Sequence, residues 1–205
     1  MLCIIDYGIG NLSSIKNMMK KIGIDSIISN KSDDIQKAEK LILPGVGSFD
    51  YGMEQLNKSG LVNILSESVL INKTPLLGIC LGVQLLTEGS EEGTTKGLSW
   101  IKGKTVAFDK DKLGLTQKIP HMGWADVYDY EKSKLFTNIF PEPRFYFVHS
   151  YHLKLENENK CLVKAKYGYE FAAGIEKENI LGVQFHPEKS HKFGMKILEN
   201  FVRYY

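Results

Sequence analysis

The stretch Leu76–Leu86, LLGICLGVQLL, sets one cysteine between two glycines where an apolar run changes character. Its first half, following Pro75, has the length and apolar continuity of a buried strand. Its second half, LGVQLL, suits the start of a helix, so Cys80 falls at a strand-to-helix turn. Gly-x-Cys-x-Gly at such a turn has the form of a nucleophile elbow. The glycines let strand and helix approach closely, and the strained residue between them is pushed out at the carboxyl end of a sheet. Backbone N–H groups at the helix start, with their partial positive charge, favour a thiolate there. Taken alone, the pattern also fits a core cysteine of a parallel strand.

Outward from the elbow, the amino-terminal half alternates short β-rich runs with helical patterns. Strands are predicted from Leu2 to Ile5, Ser26 to Ile28, Leu41 to Leu43 and Leu76 to Ile79, with helices from about Leu12 to Ile22 and through Gly52 to Ile71. This is the grammar of a parallel sheet with crossover helices. The second half changes character: strands are predicted at Lys104 to Phe108, Ala125 to Tyr128, Phe145 to Leu155, Cys161 to Tyr167, Phe171 to Glu176 and Ile180 to Phe185. Only the last segment, from about Lys192 to Tyr204, is again helical. The pattern describes one α/β domain over residues 1–205, a mostly parallel central sheet flanked by helices and extended by antiparallel strands.

A partner for the cysteine is found at Gly182–Glu188, GVQFHPE, where an apolar strand ends at a histidine and an acid follows two positions later. Residues two apart in an extended chain project to the same side, and Pro187 biases His186 away from the helical region. Glu188 can then accept from one imidazole nitrogen while the other faces a nucleophile from another strand, the base-plus-orienter logic of a catalytic triad.

Composition limits the alternatives. At 205 residues and 43% hydrophobic the chain can bury a full core. The three cysteines, Cys3, Cys80 and Cys161, form neither a disulfide framework nor a Cys-x-x-Cys site, which fits a reducing cytoplasm. MLCIIDYGIGN has no basic n-region, and no apolar run approaches the roughly 20 residues a bilayer requires, so no membrane association is expected. A net charge of +2, with cations dispersed among 24 acidic residues, gives no nucleic-acid stripe. No metal or cofactor is expected.

Together the motifs resemble the class I, triad-type glutamine amidotransferases, and within them the glutaminase subunits of imidazole glycerol phosphate synthase. The resemblance runs through Asp6–Asn11 (DYGIGN), Pro44–Gly47 (PGVG), the elbow, His121–Trp124 (HMGW), Tyr146–Tyr151 (YFVHSY) and Gly182–Ser190 (GVQFHPEKS). It implies that Cys80 attacks the side-chain amide of glutamine, His186 carries the proton to departing ammonia, and Glu188 orients His186. It also implies backbone oxyanion donors at Leu81 and in PGVG near Val46 or Gly47, with Gly45 and Gly47 giving that loop freedom to rearrange. Gln84, Glu91 and the Ser150-Tyr151-His152 backbone match the positions that hold the substrate's amino-acid portion. A simple strand-to-helix turn remains an alternative reading of PGVG.

The resemblance further implies a (β/α)₈-barrel synthase partner that receives the ammonia, with Asn11, Trp124, Tyr146 and Lys189 as candidates for the docking face. A purely structural role for Trp124 stays open. Two positions depart from the family pattern: Ala125 stands where asparagine is usual, and Val83 where methionine is usual. The first leaves room for a paralogue that feeds ammonia to another synthase, such as one aminating a surface sugar. A cysteine hydrolase of related fold and a binding subunit with a relic triad are the readings from other classes. HMGW and YFVHSY argue against the former, and the intact Cys80, His186 and Glu188 argue against the latter.

Overall fold

The computed structural model describes all 205 residues. Eleven strands form one mixed sheet: β1 Leu2–Ile5, β2 Ser26–Ser29, β3 Lys40–Gly45, β4 Leu76–Cys80, β5 Gly103–Ala107, β6 His121–Tyr128, β7 Arg144–His149, β8 Tyr151–Leu155, β9 Cys161–Tyr167, β10 Tyr169–Lys177 and β11 Ile180–Val183. The helices are α1 Leu12–Lys21, α2 Ser32–Gln36, α3 Phe49–Lys58, α4 Val62–Ser66, α5 Leu81–Leu85 and α6 His191–Tyr204. The main path of the sheet is β2-β1-β3-β4-β11-β10-β9-β6-β7. Its first four pairings are parallel and the rest are antiparallel. A ribbon of β5 and β8 joins through Leu153 opposite Ala172, where β10 is bulged.

The apolar runs of the parallel strands split by alternation between two cores. Leu2, Ile4, Ile42, Leu77 and Ile79 face one side, packed with Ile15 and Met19 of α1 and Ile197 and Phe201 of α6. Cys3, Ile5, Leu41, Leu43 and Leu76 face the other, packed with Phe49, Met53 and Leu56 of α3 and Leu65 of α4. Strands buried on both faces explain why the sequence shows runs there rather than alternation.

Three elements differ from their sequence-based outlines. The helix predicted through Gly52 to Ile71 is broken at Ser59–Gly60, where Gly60 takes φ +73°, and resumes as α4 and a π-helical turn at Glu67–Ile71. The single strand predicted from Phe145 to Leu155 divides at Ser150, so β7 pairs with β6 and β8 with β5. The strand predicted to run to Phe185 ends at Val183. No helix is long and apolar enough to cross a membrane.

Candidate active site

Cys80 closes β4 and precedes α5 with φ 54° and ψ −112°, a backbone conformation that side chains disfavour and an elbow imposes. Close approach explains the neighbouring glycines. A Cβ at Gly82 would lie 1.8 Å from the Leu43 carbonyl oxygen, and one at Gly182 would lie 2.1 Å from Val83 Cγ2. α5 is only five residues long, so the elbow offers the unpaired N–H groups of a first turn more than a helix dipole.

The parallel register between β4 and β11 sets Val183 opposite Ile79, which delivers the residues after β11 to the side of Cys80. His186 then leads into a 3₁₀ turn, Pro187–Lys189, rather than a continued strand. The turn, not strand alternation, brings Glu188 back: His186 Nδ1 lies 2.8 Å from Glu188 Oε1, with the two side chains 1% and 2% exposed. Ser190, which sequence reasoning passed over, stitches this turn to β7, its hydroxyl donating to the His186 carbonyl at 2.6 Å and accepting from Tyr146 N at 3.0 Å.

Burial alone would depress His186. The facing Cys80 and Glu188 side chains outweigh that effect and raise it to about 10. The buried Nε2 has no other hydrogen-bond partner, which leaves it to the Cys80 sulfur beside it.

Cys80 and His186 open into a cavity of about 280 Å³ that Val46, Gly47, Leu81 and Gln84 also line. Ser150 and Tyr151 form its opposite wall. Freedom in the PGVG loop resides at Gly47, with φ +104° and open space around it. Gly45, by contrast, lies within β3 for want of room: a Cβ there would stand 2.6 Å from the Tyr7 hydroxyl, which donates to the Pro44 carbonyl at 2.7 Å.

Glu91 is a correction. Its carboxylate accepts from Ala107 N at 3.1 Å and pairs with Lys104 at 3.3 Å, away from the cavity. Adjacent Glu92 lines the cavity instead and accepts from Phe49 N at 2.7 Å. Successive side chains leave the 88–92 segment on different sides because Ser90 bridges to Thr105 of β5. Only that bridge, invisible in the sequence, decides which of two neighbouring glutamates points inward. The His152 side chain also turns away, with Nε2 on the Tyr169 hydroxyl at 2.9 Å.

Residues 3–204 match the family model described as glutamine amidotransferase class-I. The chain belongs to the class-I glutamine amidotransferases. It is 57% identical over 203 residues to "Imidazole glycerol phosphate synthase subunit HisH 2" of Methanococcus maripaludis, covering 99% of each chain. It is 46% identical to the protein of the same name in Pseudomonas aeruginosa, covering 98% of each. Among solved structures, "Structure of PurLQS from Thermotoga maritima" superposes with a TM-score of 0.74 at 19% identity, covering 99% of this chain and 97% of that one, a likeness of fold.

In this amidotransferase, three of the four docking-face candidates come together. Trp124 and Tyr146 are cross-strand neighbours with ring centroids 6.3 Å apart, and Lys189 Nζ stands 5.6 Å over the Tyr146 ring. Trp124 also stacks on His191 at 5.6 Å, so it has structural contacts while remaining 38% exposed. Asn11 sits at the start of α1, and no hydrogen bond or ring contact joins it to the other three. Ala125 packs its methyl against the core opposite Phe145, and Val83 fills the space over Gly182.

Proposed function

We propose that residues 1–205 act as one glutaminase domain, the ammonia-producing subunit of an imidazole glycerol phosphate synthase in histidine biosynthesis. The observation that carries the catalytic reading is the β4–β11 register, which sets a strained cysteine and a carboxylate-oriented histidine in one cavity. Cys80 Sγ attacks the carboxamide carbon of glutamine. His186 gives its proton to the departing nitrogen, ammonia leaves, and a thioester remains. Water, deprotonated by His186, then attacks that thioester to release glutamate and restore the thiol.

The developing oxyanion is met by the Leu81 N–H and an N–H of the Val46–Gly47 segment, both at the cavity wall. The substrate's α-ammonium fits the acceptors nearby. Gln84 spends its Nε2 on Tyr151 O and Gln184 Oε1, leaving its own Oε1 free to accept in a cavity that Glu92 also lines.

The relatives named as synthase subunits support a partner for this chain, here a (β/α)₈-barrel subunit that takes up ammonia. Trp124, Tyr146, Lys189 and the exposed Met122 form the docking face, and Asn11 joins it from the same carboxyl edge of the sheet. With three free cysteines, the proposed compartment is the reducing cytoplasm.

Glutamate release by the wild-type chain, measured alone and with the barrel subunit, tests this reading, with Cys80→Ala as the control. Undiminished glutamate production by Cys80→Ala would end it. Ala125, which follows Trp124 and turns a methyl into the core where the family pattern carries an amide, favours a second reading in which ammonia goes to another barrel synthase, such as one aminating a surface sugar. Stimulation by one barrel and not the other separates the two.

A further inference from the structure

A single backbone carbonyl orients a buried polar chain that ends at the nucleophile. The Tyr151 oxygen can only accept, and it faces His149 Nδ1 at 2.8 Å and Gln84 Nε2 at 3.3 Å. His149 therefore carries its proton on Nδ1. Its Nε2 lone pair is left for His121 Nδ1 at 3.0 Å, which must be the donor. The one-way pattern demands a neutral His149, and burial, which holds His121 at about 4 and His149 at about 3, keeps both rings neutral at pH 7.

On the other side of the carbonyl, the Gln84 amide nitrogen also donates to Gln184 Oε1 at 3.0 Å. With its oxygen engaged, Gln184 can turn only its amide nitrogen elsewhere, and Nε2 lies 3.8 Å from Cys80 Sγ. Gln184 is fully buried, and it stands there because it follows the Val183–Ile79 pair in the β11–β4 register. The protonated thiol has a different partner, the Val148 carbonyl at 3.9 Å. Each protonation state of the sulfur thus has its own neighbour.

We propose that Gln184 is a further catalytic residue, donating an Nε2–H to the anionic Cys80 sulfur, and that Gln84, His149 and His121 are positioning residues that keep that donor aimed. No bond to carbon is made or broken by Gln184. It stabilises the thiolate before attack and again when the sulfur is expelled from the thioester. The proposal rests on the reading of Cys80 as the nucleophile.

The test is the pH profile of Cys80 alkylation by iodoacetamide in the full chain, followed at the Cys80 peptide by mass spectrometry so that Cys3 and Cys161 do not interfere. The other titratable groups that act on the sulfur are His186, held by Glu188, and Tyr7, and the variants leave all three in place. In Gln184→Met, of similar volume but without the donor, the midpoint should rise by about one pH unit, and kcat for glutamine hydrolysis should fall roughly ten- to hundredfold with little change in KM. A wild-type midpoint in that variant overturns the proposal.

Should Gln184→Met fail to fold, His149→Leu and His149→Asn decide. The leucine removes the donor to Tyr151 O, and the asparagine amide restores it at the Nδ1 position. A raised midpoint in the first with recovery in the second supports the chain, and identical profiles in both and in wild type refute it. A wild-type chain that releases no glutamate even with its barrel partner, while the variants still show these alkylation shifts, would refute the glutaminase reading and leave the Gln184 donor intact.

Discussion

Cys80 carries φ 54° and ψ −112° because β4 must turn into α5 within one residue, with Gly78 and Gly82 too tightly packed to absorb the change. Strain of this kind costs about 1–3 kcal/mol, whereas placing glycine in an ordered position costs roughly 0.5–1 kcal/mol of backbone entropy. The first effect is the larger. Cys80→Gly is therefore expected to unfold with about 1 kcal/mol more stability than Cys80→Ala, both variants being inactive, as read by urea denaturation. Equal midpoints would show that the elbow stores no strain. At Glu188 the concern is charge. Glu188→Gln keeps an acceptor for His186 Nδ1 but loses the negative charge that helps raise the ring, and kcat should fall by about 10²–10⁴ with the fold intact. The sign of the linked stability follows from the raised value. The stabilisation of protonated His186 is fully present below the ring's ordinary value near 6.5 and is lost as pH climbs through about 10. Between pH 7 and 10.5 wild type should lose more stability than Glu188→Gln.

At the scale of elements, β6 and β7 are joined by the cross-strand pair His121 and His149, sandwiched among Phe147, Tyr167 and Phe108. Burial depresses both rings, so the sign is opposite to that of His186: their contribution is present above about 6.5 and is lost as pH falls toward 4. His121→Phe, which keeps the stacking, should lower stability at neutral pH yet flatten its fall between pH 6.5 and 4.5 by up to one proton, about 1.4 kcal/mol per pH unit. An unchanged slope would mean that His121 is already charged. The same two strands mark the limits of the sequence. The elbow and the His-Pro-Glu segment were legible because local chemistry fixes them: glycines that cannot be larger, and a proline that constrains its neighbour. The break of β7 from β8 at Ser150, and the choice of Glu92 over Glu91, depend on which distant strand each segment pairs with. No local propensity records that. Gln184 was in plain view within GVQFHPE, and only the β4–β11 register showed that it flanks the sulfur.

At the scale of the molecule, the sheet divides the labour. Its parallel half fixes Cys80 between β3 and β11, while the antiparallel half supplies the Ser150–Tyr151 wall and the Trp124–Tyr146 pair, over which Lys189 reaches from the turn after β11. His186 N donates to the Tyr146 carbonyl at 2.9 Å, so the proposed docking face and the catalytic histidine share one backbone link. The cavity is closed on another side by the loop at Gly47, whose φ of +104° and open surroundings leave room for one peptide reorientation that would present or withdraw an oxyanion donor. If the barrel partner turns that peptide inward, the isolated chain should bind glutamine but hydrolyse it slowly. The ligand-loaded partner should then raise kcat by at least about 10²–10³, the worth of a single oxyanion donor, while KM changes little. Lys189→Glu reverses an exposed charge over Tyr146 without touching the cavity, and it should reduce the stimulation while leaving the slow basal rate of Cys80 unchanged. Steady-state glutaminase kinetics with and without the partner decide the matter. Full activity in the isolated chain, indifferent to any barrel subunit, would show that the loop is already productive and that nothing at the Trp124 face reaches the nucleophile.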